Sequence, residues 1–103
     1  MSAPAVTISD WKPLQRNSLG GFCTAHLPSG MSLYDISIHE THGSWWASPA
    51  AKPNLDRNGV AMREPNGKIK YTPLVSFESK ERRDRFSAAV LEALRAAHPE
   101  AFR

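Results

Sequence analysis

The chain has 103 residues, 41% of them hydrophobic and 22% charged, with a net charge of +3, four His and one Cys. That is one domain (residues 1–103), too rich in Trp and Phe for a disordered chain and without the roughly 20-residue apolar run that crosses a bilayer. The start Met1-Ser2-Ala3-Pro4-Ala5 lacks the basic region and apolar stretch of a secretory signal, and a lone Cys makes no internal disulfide, so a cytoplasmic location is expected. Residues 1–51 hold two bases against three acids, and residues 52–103 hold eleven against seven. The basic half suits an anionic partner such as nucleic acid.

The first predicted strand is Ala5–Trp11, where Val6 and Ile8 alternate with Thr7 and Ser9, and Lys12-Pro13 should end it. Leu14–Gly21 connects, with Gly20-Gly21 free to bend or bulge. A second strand runs from about Gly21 to Leu27, and Pro28-Ser29-Gly30 is a turn signal that makes a hairpin with the third, Met31–Glu40. In that third strand Tyr34, Ile36 and Ile38 share a face, while Met31 and Leu33 fall out of phase, as a bulge would produce. After the His42-Gly43 turn comes a short fourth strand, Ser44–Ser48, stopped by Pro49. Residues 50–67 form a long basic loop, closed by Asn66-Gly67 as a hairpin turn. The fifth strand places Ile69, Tyr71, Val75 and Phe77 on one face and Lys68, Lys70, Thr72 and Ser76 on the other, with Pro73 requiring an edge or a bulge.

The last element is a helix. Ser79 is the expected N-cap, Phe86, Val90, Leu94, Ala97 and Leu91 make an apolar stripe, and Pro99 ends it. Lys80, Arg83, Arg85, Glu92 and Arg95 lie on the other side. No internal repeat is apparent. The fold class is therefore α+β: an antiparallel sheet of four to five strands followed by one C-terminal helix packed on one face. One helix leaves the other face partly bare, so a homodimer is expected.

Trp45 and Trp46 are adjacent on a strand and must point to opposite faces, so if one lies under the helix the other meets solvent, a partner subunit or a ligand. An exposed indole is a base-stacking platform, and burial in a dimer interface is the alternative use. Lys52, Arg57, Arg63, Lys68 and Lys70 lie in or beside the long loop, where they can track a phosphate backbone or simply solvate an edge. Bases at the start of the last helix oppose its dipole, so Lys80, Arg82, Arg83 and Arg85 call for another explanation: phosphate contact, or ion pairs with Glu81 and Asp84. His39-Glu40-Thr41-His42 is one residue short of H-E-x-x-H and sits at a strand end, and even with Cys23 and His26 nothing completes a metal site. Cys23, in phase with Ala25 and Leu27, reads as a core residue. With no G-x-S-x-G, P-loop or dinucleotide fingerprint, neither catalysis nor a metal or other cofactor is expected.

Leu33-Tyr34-Asp35-Ile36-Ser37-Ile38, followed by Gly43, Pro49 and Lys52, resembles the SpoVG (septation regulator) family. The shared pattern is a hydrophobic-x-Asp-Ile-x-hydrophobic strand, a Gly turn, an aromatic or aliphatic strand and a Pro six residues after the Gly. Ala89-Val90-Leu91 resembles the family's terminal helix, and the likeness covers roughly residues 19–95. It implies a small dimeric α+β domain that binds DNA and RNA as a regulator. Aligned on Ala89-Val90-Leu91, the family's basic helix residues fall on Arg83 and Arg85. The chain departs from the pattern in a longer loop after Pro49 and in about four extra residues between Pro73 and the helix. The strands-then-helix order also resembles the single-strand-binding fold of positive-cofactor-type coactivators.

The expectation is a non-catalytic, homodimeric nucleic-acid-binding protein that regulates transcription or acts post-transcriptionally. Single-stranded DNA or RNA is favoured, because stacking needs an unpaired base. Lys52, Arg57, Arg63, Lys68, Lys70, Arg83, Arg85, Trp45 and Trp46 are the candidate contacts. The alternative is a protein-interaction or structural dimer that binds no nucleic acid.

Overall fold

The computed structural model describes residues 5–102; Met1–Pro4, part of the segment read for a signal peptide, lie outside them. Four strands form one antiparallel sheet in the order β1 (Thr7–Arg16), β2 (Leu19–His26), β3 (Ser32–Thr41) and β4 (Ser44–Ser48). A two-stranded ribbon follows, β5 (Ala51–Pro53) with β6 (Tyr71–Pro73), then helix α1 (Lys80–Ala97) and a 3-10 turn (Pro99–Phe102). The architecture is the expected α+β one. Among the described residues, no helix is long and apolar enough to cross a membrane.

Alternation decides which side chains meet the helix. Cys23 and Ala25 of β2, Ile36 and Ile38 of β3 and Ala47 of β4 point to one face, where Val90 and Leu94 of α1 close over them. Small residues on β2 and β4 flank the two isoleucines, and burying each large aliphatic chain contributes about 1.5–3 kcal/mol. Val6, Ile8, Leu33, Phe86 and Leu91 are half-buried around this centre. Burial pushes the Cys23 thiol up to about 11, so it stays protonated at neutral pH and acts as a small apolar residue.

The helix begins as its sequence dictates. Ser79 has an extended backbone, and its Oγ accepts from the Arg82 N–H at 3.2 Å. Its apolar stripe holds at Phe86, Val90, Leu91 and Leu94, but Ala97 is exposed. The 3-10 turn takes over there and folds Phe102 back onto Trp45, with ring centroids 4.5 Å apart. The helix is also tied to the sheet edge, where Ser87 Oγ accepts from the Ala47 N–H at 2.8 Å. That bond satisfies a donor on the outer side of β4, which an edge strand otherwise leaves open.

Three expectations are corrected. Lys12-Pro13 does not end the first strand: β1 runs on to Arg16, with Pro13 opposite Gly21. Proline is tolerated because β1 is an edge strand and needs no outward donor. The turn to β2 is made by Asn17-Ser18, with Asn17 at φ 56°; Gly20 and Gly21 lie within β2, where the register against β3 slips between Leu19 and Gly21 as a bulge there requires. In β3 the bulge falls at Asp35 (φ 57°), which puts Leu33 in phase with Ile36 and leaves Tyr34 67% exposed rather than beside the isoleucines.

The long basic loop at 50–67 is an ordered arm. β5 and β6 form its base, and β6 spans three residues rather than the whole of 69–77. Pro73 is its last residue, and one further bond, Leu74 N–H to Ala50 C=O at 3.1 Å, closes this end. Beyond the base, three segments eight residues apart close a ring of backbone bonds. Met62 N–H donates to Asn54 C=O (2.8 Å), Lys70 N–H to Met62 C=O (2.9 Å) and Asn54 N–H to Lys70 C=O (2.9 Å). One tight turn occurs twice: Gly59 N–H donates to Asp56 C=O and Gly67 N–H to Glu64 C=O, with both glycines at positive φ. The arm exposes Leu55, Val60 and Met62, and the molecule is elongated, at 52 × 31 × 25 Å.

Gly21 marks the tightest packing. A Cβ there would sit 2.5 Å from the Trp11 ring and 2.6 Å from the Lys12 carbonyl oxygen, at φ 154°. Gly21→Ala should therefore lower stability by about 2–4 kcal/mol through overpacking and strain. Gly30→Ala, at φ 97° in open space, should cost about 1–2 kcal/mol, from strain alone. Urea unfolding of the two variants checks the difference.

Candidate nucleic-acid interface

The face of the sheet away from α1 is polar and aromatic. Phe22 of β2, Ser37 and His39 of β3 and Trp46 and Ser48 of β4 share it, with Phe22 opposite Ser37 and His39 opposite Trp46 in the ladder. The His39 and Trp46 rings stack, with centroids 5.2 Å apart and planes 11° off parallel. Trp46 keeps 38% of its surface exposed. Ser37 Oγ lies 3.0 Å from His39 Nε2 and donates to the Ser48 carbonyl at 3.4 Å, which fixes the imidazole edge. His39 Nδ1 is buried with no hydrogen-bond partner among the described residues.

Between this face and the base of the arm runs a groove of about 780 Å³, with Phe22, Ser37 and His39 on one side and Ala51, Tyr71 and Leu74 on the other. A smaller groove, about 380 Å³, opens at the β4 edge, where Trp46 meets Arg83, Asp84 and Ser87 of the helix. Trp46 thus joins the sheet face to the first turns of α1.

The two indoles divide as alternation requires. Trp46 is the more open platform, while Trp45 is half-buried on the helix side, packed against Phe102. Of the helix bases, Arg83 lines the same groove as Trp46, with its Nε 3.6 Å from Asp84. Arg85 is directed to Glu81 at 2.6 Å and lines neither groove. Lys52 and Lys70 belong to one face of the ribbon, since Lys52 pairs with Thr72, two residues from Lys70. Arg57 sits in the first turn of the arm and Lys68 follows the second, and Arg63 donates to the Gly67 carbonyl at 2.7 Å. None of these five bases lines either groove, so the arm carries its charge outward rather than onto Trp46. Lys52, Arg57, Lys68 and Lys70 form no ion pair with an acid among the described residues.

His39, Phe22, Tyr71 and Ser87 were not legible as site residues from sequence. His39 and Phe22 do lie in register with Trp46 and Ser37, a signal that pairing the third and fourth strands would have exposed. Cys23, His26, His39 and His42 do not converge. Cys23 is in the core, His26 lies between Ser9 (2.7 Å) and Ser32 (2.8 Å), and among the described residues no three His, Cys, Asp or Glu are placed to hold a metal. No protein-family model, curated protein or solved structure matches the chain.

Burial holds the His39 imidazole below its ordinary value of 6.5. As pH falls below about 6.5, the unfolded chain takes up a proton before the folded one does. Stability from this group is complete above that pH and is lost as pH drops toward the folded value. The urea midpoint should therefore fall between pH 7.5 and 5.5, and His39→Gln should reduce that fall.

Proposed function

We propose that the protein binds single-stranded DNA or RNA, without catalysis, as a homodimer with a regulatory role. The observation that carries this reading is the Trp46–His39 stack on the sheet face that no helix covers, open to solvent and next to Arg83. A flat, exposed indole stacks any base at about 1–3 kcal/mol, and a neighbouring guanidinium meets the phosphate. The resemblance of residues 33–52 and 89–91 to the SpoVG family supports the same reading. Tyr71 and Phe22 extend the aromatic surface along the larger groove, and Lys52 and Lys70, on the ribbon face opposite Tyr71, hold a backbone that passes over the ribbon. Base-stacking sites of this kind take unpaired strands, because a duplex hides its base faces.

A second copy is favoured by the arm. Leu55, Val60 and Met62 are large apolar side chains held out on an ordered hairpin, a costly arrangement unless another surface receives them. Sedimentation should give twice the chain mass, and Leu55→Ser with Met62→Ser should shift it to the monomer.

Indole fluorescence should quench on titration with an oligodeoxythymidine of about eight nucleotides. The affinity should fall with salt at a log–log slope of about −2 to −3, as for three or four phosphates on a single strand. Trp46→Ala should weaken binding by about 5- to 150-fold, and Lys52→Gln and Lys70→Gln should each reduce the slope by about 0.7. Absence of binding at low salt would overturn the reading.

A further inference from the structure

We infer that the groove between the end of the ribbon and the first turn of α1 is a second subsite for one nucleotide of the strand, with the base inside and its phosphate on the rim. The inference rests on the reading of Trp46 as a base platform. The groove has a volume of about 490 Å³, within the range of small-ligand sites. Pro49, Val75 and Phe77 give it flat apolar walls, and Lys80 and Arg83 stand at its rim with Ser48. No acidic side chain lines it, so its charge favours an anion whose remainder is planar and apolar.

Continuity with the Trp46 groove decides the occupant. Ser48 and Arg83 line both, so a strand with one base on Trp46 meets Arg83 on the way into this groove. The walls are held in place. Phe77 packs on Phe86 of the helix with ring centroids 5.3 Å apart, and the helix start beside it is capped by Ser79. Of the neighbouring acids, Glu78 is paired with Arg82 and Glu81 with Arg85, and the contact of Asp84 with Arg83 is an exposed 3.6 Å pair. Such a pair is worth little in water and exchanges for a phosphate at small cost.

Two variants of the full-length chain separate this subsite from the Trp46 platform. Ser76 is exposed and lines the groove, so Ser76→Phe fills it without entering the core. Lys80→Gln removes a rim charge that the Trp46 groove does not use. With the same oligodeoxythymidine, Ser76→Phe should weaken binding roughly tenfold, in the range of one lost base contact, and Lys80→Gln should reduce the salt slope by about 0.7. Both variants should keep the quench of Trp46 at saturation. If the wild type binds and both variants bind equally well with an unchanged slope, the subsite is wrong and the Trp46 reading stands. If the wild type does not bind, both fall together.

Discussion

A four-stranded sheet has two faces to protect from water, and this chain supplies one helix. Val90 and Leu94 settle on Ile36 and Ile38, and the small residues Cys23, Ala25 and Ala47 let the helix come close. Everything else is arranged around that one-sided contact. The 3-10 turn extends the cover over Trp45, and Ser87 pins the helix to the edge strand. The face left over cannot be aliphatic without becoming a liability, and it is built instead of serines, a histidine and flat rings.

That division explains why the two tryptophans, neighbours in the chain, have different fates. Trp45 belongs to the covered face and contributes packing. Trp46 belongs to the open face and is propped from behind by His39, whose own edge is fixed by Ser37. A side chain held this way has already lost its rotamer freedom, so a ligand that stacks on it does not have to order it. The Nδ1 of His39, without a hydrogen-bond partner among the described residues, is the cost of placing an imidazole there, and desolvation disfavours its charged form.

The cations are organised by two different supports. On the helix they stand one turn from acids, as in Arg82 with Glu78 and Arg85 with Glu81, in exposed pairs that add little to stability. On the arm they ride on a backbone scaffold that needs no core. The ring of bonds joining Asn54, Met62 and Lys70, with its two Asn-Gly turns, keeps Arg57 and Lys68 away from the domain. The binding surface proposed for Trp46 therefore draws on Arg83 from the first support, while Lys52 and Lys70 on the second stand outside both grooves, on the other face of the ribbon.

Much of this was legible in the sequence where the signal is local. The Ser79 cap, the apolar stripe from Phe86 to Leu94, the Pro28-Ser29-Gly30 and His42-Gly43 turns and the β4 strand each depend on residues a few positions apart, and each is where the pattern put it. The opposite orientation of Trp45 and Trp46 followed from alternation alone. What the sequence could not settle depends on contacts between distant segments. Pro13 is harmless because β1 is an edge, Tyr34 is exposed because the bulge at Asp35 resets the phase of β3, and residues 50–67 are ordered because Asn54, Met62 and Lys70 bond to one another. Local spacing chooses the elements and their faces. Only folding in three dimensions decides which edge is open, where a register slips and which cation comes to stand beside Trp46, because those energies exist only once remote residues have met.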